Sequence, residues 1–144
     1  MIFSRACLYG IRAALYVASQ KNRKYVSIGE ISQNLGISFH FLTKVLQKLT
    51  QKNLMTSYRG PNGGIALSKP AAEITLYEIV EAIECDQVFD GCILGLPGCG
   101  TLKPCPLHEN WATIRGELSQ LFTETDLESV AKRIKDEDLR ISKS

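Results

Sequence analysis

The chain is 144 residues long and 44% hydrophobic, enough to bury one core with a smaller appendage. No run of about eighteen apolar residues occurs, and Arg5, Arg12 and Gln20 interrupt the N-terminal apolar pattern, which lacks a signal peptide's unbroken core; neither a spanning helix nor a secretion signal is expected, and a cytoplasmic protein with no membrane partner is. The net charge of +2 hides opposed halves: residues 1–69 carry ten Lys and Arg against the single acid Glu30, residues 70–144 seven against fourteen acids, and so basic a half predicts a polyanionic partner.

Residues 3–20 read as one helix, with Tyr9, Ala13, Tyr16 and Val17 on one face and Leu8, Ile11 and Leu15 widening it, so most of its surface is expected to be buried. Residues 21–25 break the pattern. Ser27 followed by Glu30 predicts a capping box that opens a second helix through Leu35, and Gly36 stops it. Ser38 is placed to cap a third helix, and two helices joined through Gly36 predict a helix-turn-helix.

In the third helix Leu42, Val45, Leu46 and Leu49 recur at i, i+3, i+4 and i+7 and face the core. The opposite face holds His40, Thr43, Lys44, Gln47, Lys48 and Gln51, all donors or cations and none acidic. With Ser38 and Phe39 at its start, this face is expected to enter the major groove of double-stranded DNA, where such side chains reach base edges and phosphates. A merely solvated face is the plainer alternative, but it would carry some Asp or Glu.

After Asn53 the period becomes two. Residues 55–58 and 65–67 flank Arg59, Gly60, Pro61, Asn62, Gly63 and Gly64, which predicts a two-stranded wing. Its glycines let the backbone approach a ligand while Arg59 reaches into a narrow minor groove, so Arg59 to Gly63 join the candidate DNA contacts. Thr75 with Glu78 then predicts a capped helix to about Glu84, striped by Leu76, Ile79, Val80 and Ile83.

Residues 85–104 are rich in Gly and Pro without periodicity, long for a structureless connection and therefore expected to have a task. Pro106 is placed to begin a long helix in which Leu107, Trp111, Ile114, Leu118 and Leu121 alternate steps of four and three. This short heptad seam predicts a homodimer through residues 106–123, suited to two-fold DNA sites. Intrachain packing is the plainer reading, but a small domain has little surface to spare for covering Trp111 and Phe122. Thr125 with Glu128 is expected to cap a last helix to about Lys135. The expected fold is mainly α with a small β-hairpin: a winged helix-turn-helix domain over residues 1–84, a cysteine-bearing sensor loop over 85–105, and a dimerisation helix with a C-terminal helix over 106–144.

Five cysteines, an odd number with three in one loop, suit reduced thiols better than a disulfide scaffold. Cys92, Cys99, Cys105 and His108 are separated by six, five and two residues, and three thiolates with an imidazole complete a tetrahedral set. The intervening glycines and prolines permit the turns needed to gather sulfurs. The spacing fits no standard zinc finger, and thiolates suit zinc and iron–sulfur clusters alike. Reactive thiols without a metal are another reading. His108 has the alternative of packing near the start of the long helix, and Cys85 is read as a small buried apolar residue.

On the helix-turn-helix around residues 28–51, the Arg59 to Gly64 wing and the three-cysteine loop, the chain resembles the IscR/NsrR family of winged-helix regulators. The resemblance implies a dimeric repressor or activator, not an enzyme, in which Cys92, Cys99 and Cys105 hold an iron–sulfur cluster, 2Fe–2S or 4Fe–4S, that senses iron, nitric oxide or redox state; some members carry none. In one branch a histidine placed like His108 supplies the fourth ligand. In another an aspartate from the partner's first helix does so, where this chain has Leu8 beside Cys7. The first cysteine spacing is one residue longer than in the histidine branch. The residues themselves also argue against an enzyme, since there is no CxxC and no acid–base pair set around a pocket.

Overall fold

Short helices, most of them capped by a side chain at the start, account for the greater part of the chain. In order they are α1 (Arg5–Ser19), α2 (Ile28–Leu35), α3 (Phe39–Gln51), the hairpin strands β1 (Met55–Tyr58) and β2 (Gly64–Leu67), a 3-10 turn (Ala71–Glu73), α4 (Leu76–Ile83), α5 (His108–Glu124) and α6 (Leu127–Asp136). These come from a computed structural model that describes residues 2–84 and 88–143. The fold is the expected mainly helical winged helix-turn-helix; Cys85, read from the sequence as a buried apolar residue, lies outside the described residues.

α1 is central because its buried residues are mostly small: Cys7, Gly10, Ala13, Ala14 and Ala18, with Leu15 and Val17. α3, α4 and α6 pack closely on it, and α2 touches it less extensively. At Gly10 a Cβ would lie 2.1 Å from Ile83 Cδ1 and 3.2 Å from Val45 Cγ1, so α4 and α3 both reach the α1 backbone there. Around α1, Ile31, Leu42, Leu46, Leu49, Met55, Ile74, Ile79 and Leu127 are fully buried. α6 therefore shares a core with the helix-turn-helix through Leu127 and Ala131.

The caps show where local chemistry was and was not as expected. Thr75 and Glu78 form a complete capping box. Ser27 Oγ accepts the Glu30 N–H at 3.1 Å, but the Glu30 carboxylate turns away to Arg23 and Tyr16 instead of closing the box. At α6 the cap is Asp126, whose carboxylate accepts the Ser129 N–H at 2.8 Å, not Thr125. Thr125 is spent ending α5: its hydroxyl donates to the Leu121 carbonyl at 2.6 Å and its own carbonyl accepts the Leu76 N–H at 2.9 Å. α5 begins two residues after Pro106, with Leu107 as its cap.

The hairpin pairs Met55 with Leu67 through Tyr58 with Gly64, one residue longer in β2 than expected. Val26, ahead of α2, bridges to Ile65 by two backbone hydrogen bonds of 2.9 and 2.8 Å. Gly64 makes that closure possible: at φ 155° it lies so near the chain before α2 that a Cβ would sit 2.2 Å from the Val26 carbonyl oxygen. The wing is thus tied to the α1–α2 connection at its base. Among the described residues no helix is long and apolar enough to cross a membrane.

Arg23 engages both carboxylate oxygens of Glu30, and the Tyr16 hydroxyl donates to Oε2 at 2.7 Å, pinning α2 to α1. These bonds, Arg23 first and Tyr16 second, hold the Glu30 carboxyl down to about 2. Glu30→Gln is expected to lower stability at pH 7 by about 1 kcal/mol, a figure discounted for the partial exposure of the pair. Because the folded value lies below the ordinary 4.5, the stabilisation is full above that pH and is lost as pH falls toward 2. Urea titrations of parent and variant should therefore differ at pH 7 and converge near pH 2; a gap of constant size would contradict the pairing.

Candidate functional site

α3 divides as its periodicity demands. Leu42, Val45, Leu46 and Leu49 are buried, while Phe39, His40, Lys44, Gln47 and Lys48 are exposed and Thr43 is half-buried. Ser38 caps the helix, accepting the Phe41 N–H at 3.4 Å, and the Thr43 hydroxyl donates to the Phe39 carbonyl at 2.8 Å. In the wing Arg59, Gly60, Pro61 and Asn62 are exposed and Gly63 is half-buried. The salt bridges among the described residues join Arg23 to Glu30, Lys69 to Glu78 and Arg133 to Glu137, so Lys44, Lys48 and Arg59 are in none of them. The one acid of residues 1–69 is consumed by Arg23, which leaves this cationic face without a neutralising neighbour of its own half.

An aromatic pair beside the wing was not foreseen from the residue pattern. Tyr25 and Tyr58 stack with centroids 5.3 Å apart, and Lys24 Nζ lies 5.7 Å from the Tyr25 ring. Their separation in sequence conceals the pairing, which follows from the Val26–Ile65 bridge that sets the two chain segments side by side.

The loop after α4 gathers the three expected sulfurs. Cys92, Cys99 and Cys105 are partly buried, and their Sγ atoms all lie within 4.8 Å of one another, Cys92 and Cys105 at 3.6 Å. His108, the first residue of α5, places Nδ1 3.7 Å from Cys99 Sγ. Gly95 and Gly98 take positive φ of 72° and 71°, turning the chain between the first two cysteines. Backbone hydrogen bonding from Leu96, and then from Leu94 whose N–H lies 3.4 Å from the sulfur, brings the Cys92 thiol down to about 7. The Cys105 backbone draws the Cys99 thiol down too, but partial burial and the two neighbouring sulfurs together push it above its ordinary value. Cys7, beside the Leu8 position, is sealed in the core; burial, then the nearby Glu84 carboxylate, push its thiol up to about 12.

Two further connections join this loop to the rest of the protein. The Trp111 indole N–H donates to the Gly91 carbonyl at 2.8 Å, and Arg115 donates to the Asp90 and Gly91 carbonyls at 3.0 and 2.9 Å. Phe89, at the loop's start, stacks on Tyr77 of α4 at 4.6 Å and meets Phe122 of α5 at 5.7 Å, and Phe122 meets Phe3 at 5.3 Å. The expected heptad seam therefore splits. Phe122 and Leu118 pack inward on the core and Trp111 serves the loop, so Phe122 is covered within the chain after all. Leu107, Ile114 and Leu121, seven residues apart, remain exposed at 44%, 54% and 58%.

Comparison with known proteins agrees with this fold. Residues 3–133 match the family model described as "Rrf2: Iron-dependent Transcriptional regulator". A protein of Aquifex aeolicus (strain VF5), named for a helix-turn-helix type of transcriptional regulator, is 29% identical over 132 residues, 90% of this chain and 91% of its own. CymR, the global cysteine regulator of B. subtilis, superposes with a TM-score of 0.76 at 24% identity, over 90% of this chain and 95% of that one. IscR of T. potens superposes with a TM-score of 0.76 at 19% identity, over 95% of this chain and 90% of that one. At these identities the two structures speak to the fold alone.

The sulfur environments lead to an order of reactivity. In reduced, metal-free protein at pH 7, limiting iodoacetamide should modify Cys92 ahead of Cys99 and leave Cys7 untouched until the chain unfolds, as read by peptide mass mapping. Equal labelling of Cys92 and Cys99, or early labelling of Cys7, would contradict the placement.

Proposed function

The chain belongs to the Rrf2 family of DNA-binding transcription regulators, which are not enzymes, and from that premise we propose a homodimer that reads duplex DNA with α3 and the wing and senses iron–sulfur or redox status through its cysteine loop. The observation that carries the sensing part is the gathering of three sulfurs within 4.8 Å in one loop. Cys92, Cys99 and Cys105 would hold the cluster with His108 as the fourth ligand, a soft and partly shielded donor set that fits either 2Fe–2S or 4Fe–4S. When bound, such a cluster supplies one-electron redox chemistry and lability toward oxidants.

The chain's own residues do the rest. Ser38, Phe39, His40, Thr43, Lys44, Gln47 and Lys48 offer donors and positive charge to a major groove, and Arg59 to Gly63 offer a narrow cationic tip to the adjoining minor groove. The exposed Leu107, Ile114 and Leu121 give residues 106–123 a stripe for a second copy. Trp111 and Arg115, by holding the Asp90 and Gly91 carbonyls, fix the entrance of the loop to the same helix, so a change in the loop bears on the dimer helix directly. In this reading residues 1–84 bind DNA, 85–105 sense, and 106–144 join the two copies.

A second reading has its own support. The Cys92 thiol near 7 and its 3.6 Å approach to Cys105 suit a thiol sensor without metal. Iron and acid-labile sulfide analysis of protein purified without oxygen separates the two. Cluster sensing requires both elements with visible absorbance that Cys99→Ala abolishes. Colourless protein with reactive thiols would favour the second reading, and stoichiometric zinc would reject both.

For DNA, Lys44→Ala or Arg59→Ala should weaken duplex binding and flatten the slope of log affinity against log salt by about 0.9 for each phosphate no longer neutralised. Unchanged slopes would move the DNA-facing surface elsewhere.

A further inference from the structure

The end of the chain reverses the charge of the half to which it belongs. Residues 132–143 hold Lys132, Arg133, Lys135, Arg140 and Lys143 against Asp136, Glu137 and Asp138, and everything after residue 133 lies beyond the family match. α6 runs along α1. Past its end the Leu139 N–H bonds the Ile134 carbonyl at 3.0 Å, and Ile141 rests against the core, so the tail is folded back onto α1. Between them lies a cavity of about 440 Å³ lined by Arg12, Arg140, Ile141, Ser142 and Lys143. Among the described residues this lining has three cations and no acid, and no salt bridge among those residues engages any of the three.

The position of the cavity follows from ring contacts. The Arg12 guanidinium lies 5.7 Å from the centroid of Tyr9, and Tyr9 meets Phe41 edge-on at 5.5 Å. Phe41 belongs to the first turn of α3, so Arg12 stands two ring contacts from the start of that helix. Three cations lining one cavity, with no acid beside them among its described lining residues, repel one another; Arg140 spends one donor on the Lys143 carbonyl at 3.2 Å, and a phosphate relieves the repulsion while taking up guanidinium donors that remain. We propose that Arg12, Arg140 and Lys143 form a phosphate-binding site that takes a phosphate of the duplex backbone beside the groove read by α3. The tail then clamps DNA from outside the helix-turn-helix. This rests on the DNA-binding reading given above.

The test is the paired variant Arg140→Ala with Lys143→Ala, which keeps Ile141 to anchor the tail, titrated with a labelled mixed-sequence duplex over a range of salt. The slope of log affinity against log salt should flatten by about 0.9 for each phosphate that the tail ceases to neutralise, and the swap Arg140→Lys with Lys143→Arg should restore most of it. Parental slope and affinity in the alanine pair would overturn the proposal. Inorganic phosphate, followed by NMR in the absence of DNA, distinguishes the source: saturable binding abolished in the alanine pair while the duplex slope is kept would make this a free-anion site and overturn the DNA clamp. Lys44→Ala measured alongside separates the two ideas. If it flattens the slope and the tail pair does not, only the tail proposal fails, whereas a parent without salt-dependent duplex binding would remove the DNA reading itself.

Discussion

The close packing of three helices around α1 is the constraint on which the structure depends. Small residues at Cys7, Gly10, Ala13, Ala14 and Ala18 leave room for α3, α4 and α6 at the same time. Interiors are packed near crystal density, so an added methyl at such a crossing must displace something. At Gly10 it would meet both Ile83 and Val45. The consequence is functional as well as mechanical: the reading helix, the helix that leads into the cysteine loop and the last helix of the chain all rest on one rod. A displacement of any of them has to be accommodated by the other two.

Charge is distributed with the same economy. Residues 1–69 have one carboxylate, and it is used internally to join α1, the following turn and α2 through Tyr16 and Arg23. The cations on α3 and the wing tip therefore face solvent with no acid of their own half beside them, a state that is tolerable only at an exposed surface in salt and that favours an approaching polyanion. Acids dominate residues 73–128, but Arg140 and Lys143 near the end of the chain line a cavity with Arg12 of α1. A division of the chain by sequence into a basic half and an acidic half is thus only an approximation to its division in space.

What was legible in the sequence was whatever depends on neighbours within a turn or two. The i, i+3, i+4, i+7 pattern of Leu42 to Leu49 placed α3, and Ser38, Thr75 and the glycine-rich hairpin marked their elements correctly, because caps and turns are decided locally. Cysteine spacing with interspersed glycines named the three sulfurs that meet. Misreadings arose where a distant partner competed for a group. Glu30 left its capping box for Arg23 and Tyr16, and Thr125 left the cap of α6 to Asp126, its own hydroxyl being turned back to the Leu121 carbonyl. The heptad seam of α5 is divided for a similar reason: Leu118 and Phe122 found cover on Phe3, Phe89 and the core, neighbours that no periodicity within α5 can announce, while Leu107, Ile114 and Leu121 stay exposed.

Those same long-range contacts supply a physical connection between the cysteine loop and the helices packed on α1. Phe89 opens the cysteine loop and is stacked on Tyr77 of α4, while Phe122 links it to Phe3 just ahead of α1. The loop's next two carbonyls are held by Trp111 and Arg115 of α5. A change at Cys92 thus has two short routes outward, one into the core that carries α3 and one along α5, which bears the exposed Leu107, Ile114 and Leu121. Proximity alone regulates nothing: the loop's states must differ in free energy according to how α1 and α5 are disposed, and a ligand that favoured both dispositions equally would shift neither. Aromatic stacking suits that requirement, since a ring pair displaced by an ångström or two forfeits packing that side-chain flexibility cannot replace in a dense core. If the loop senses as proposed, Phe89, and not the sulfurs themselves, is the residue through which its chemistry would reach the core that carries α3.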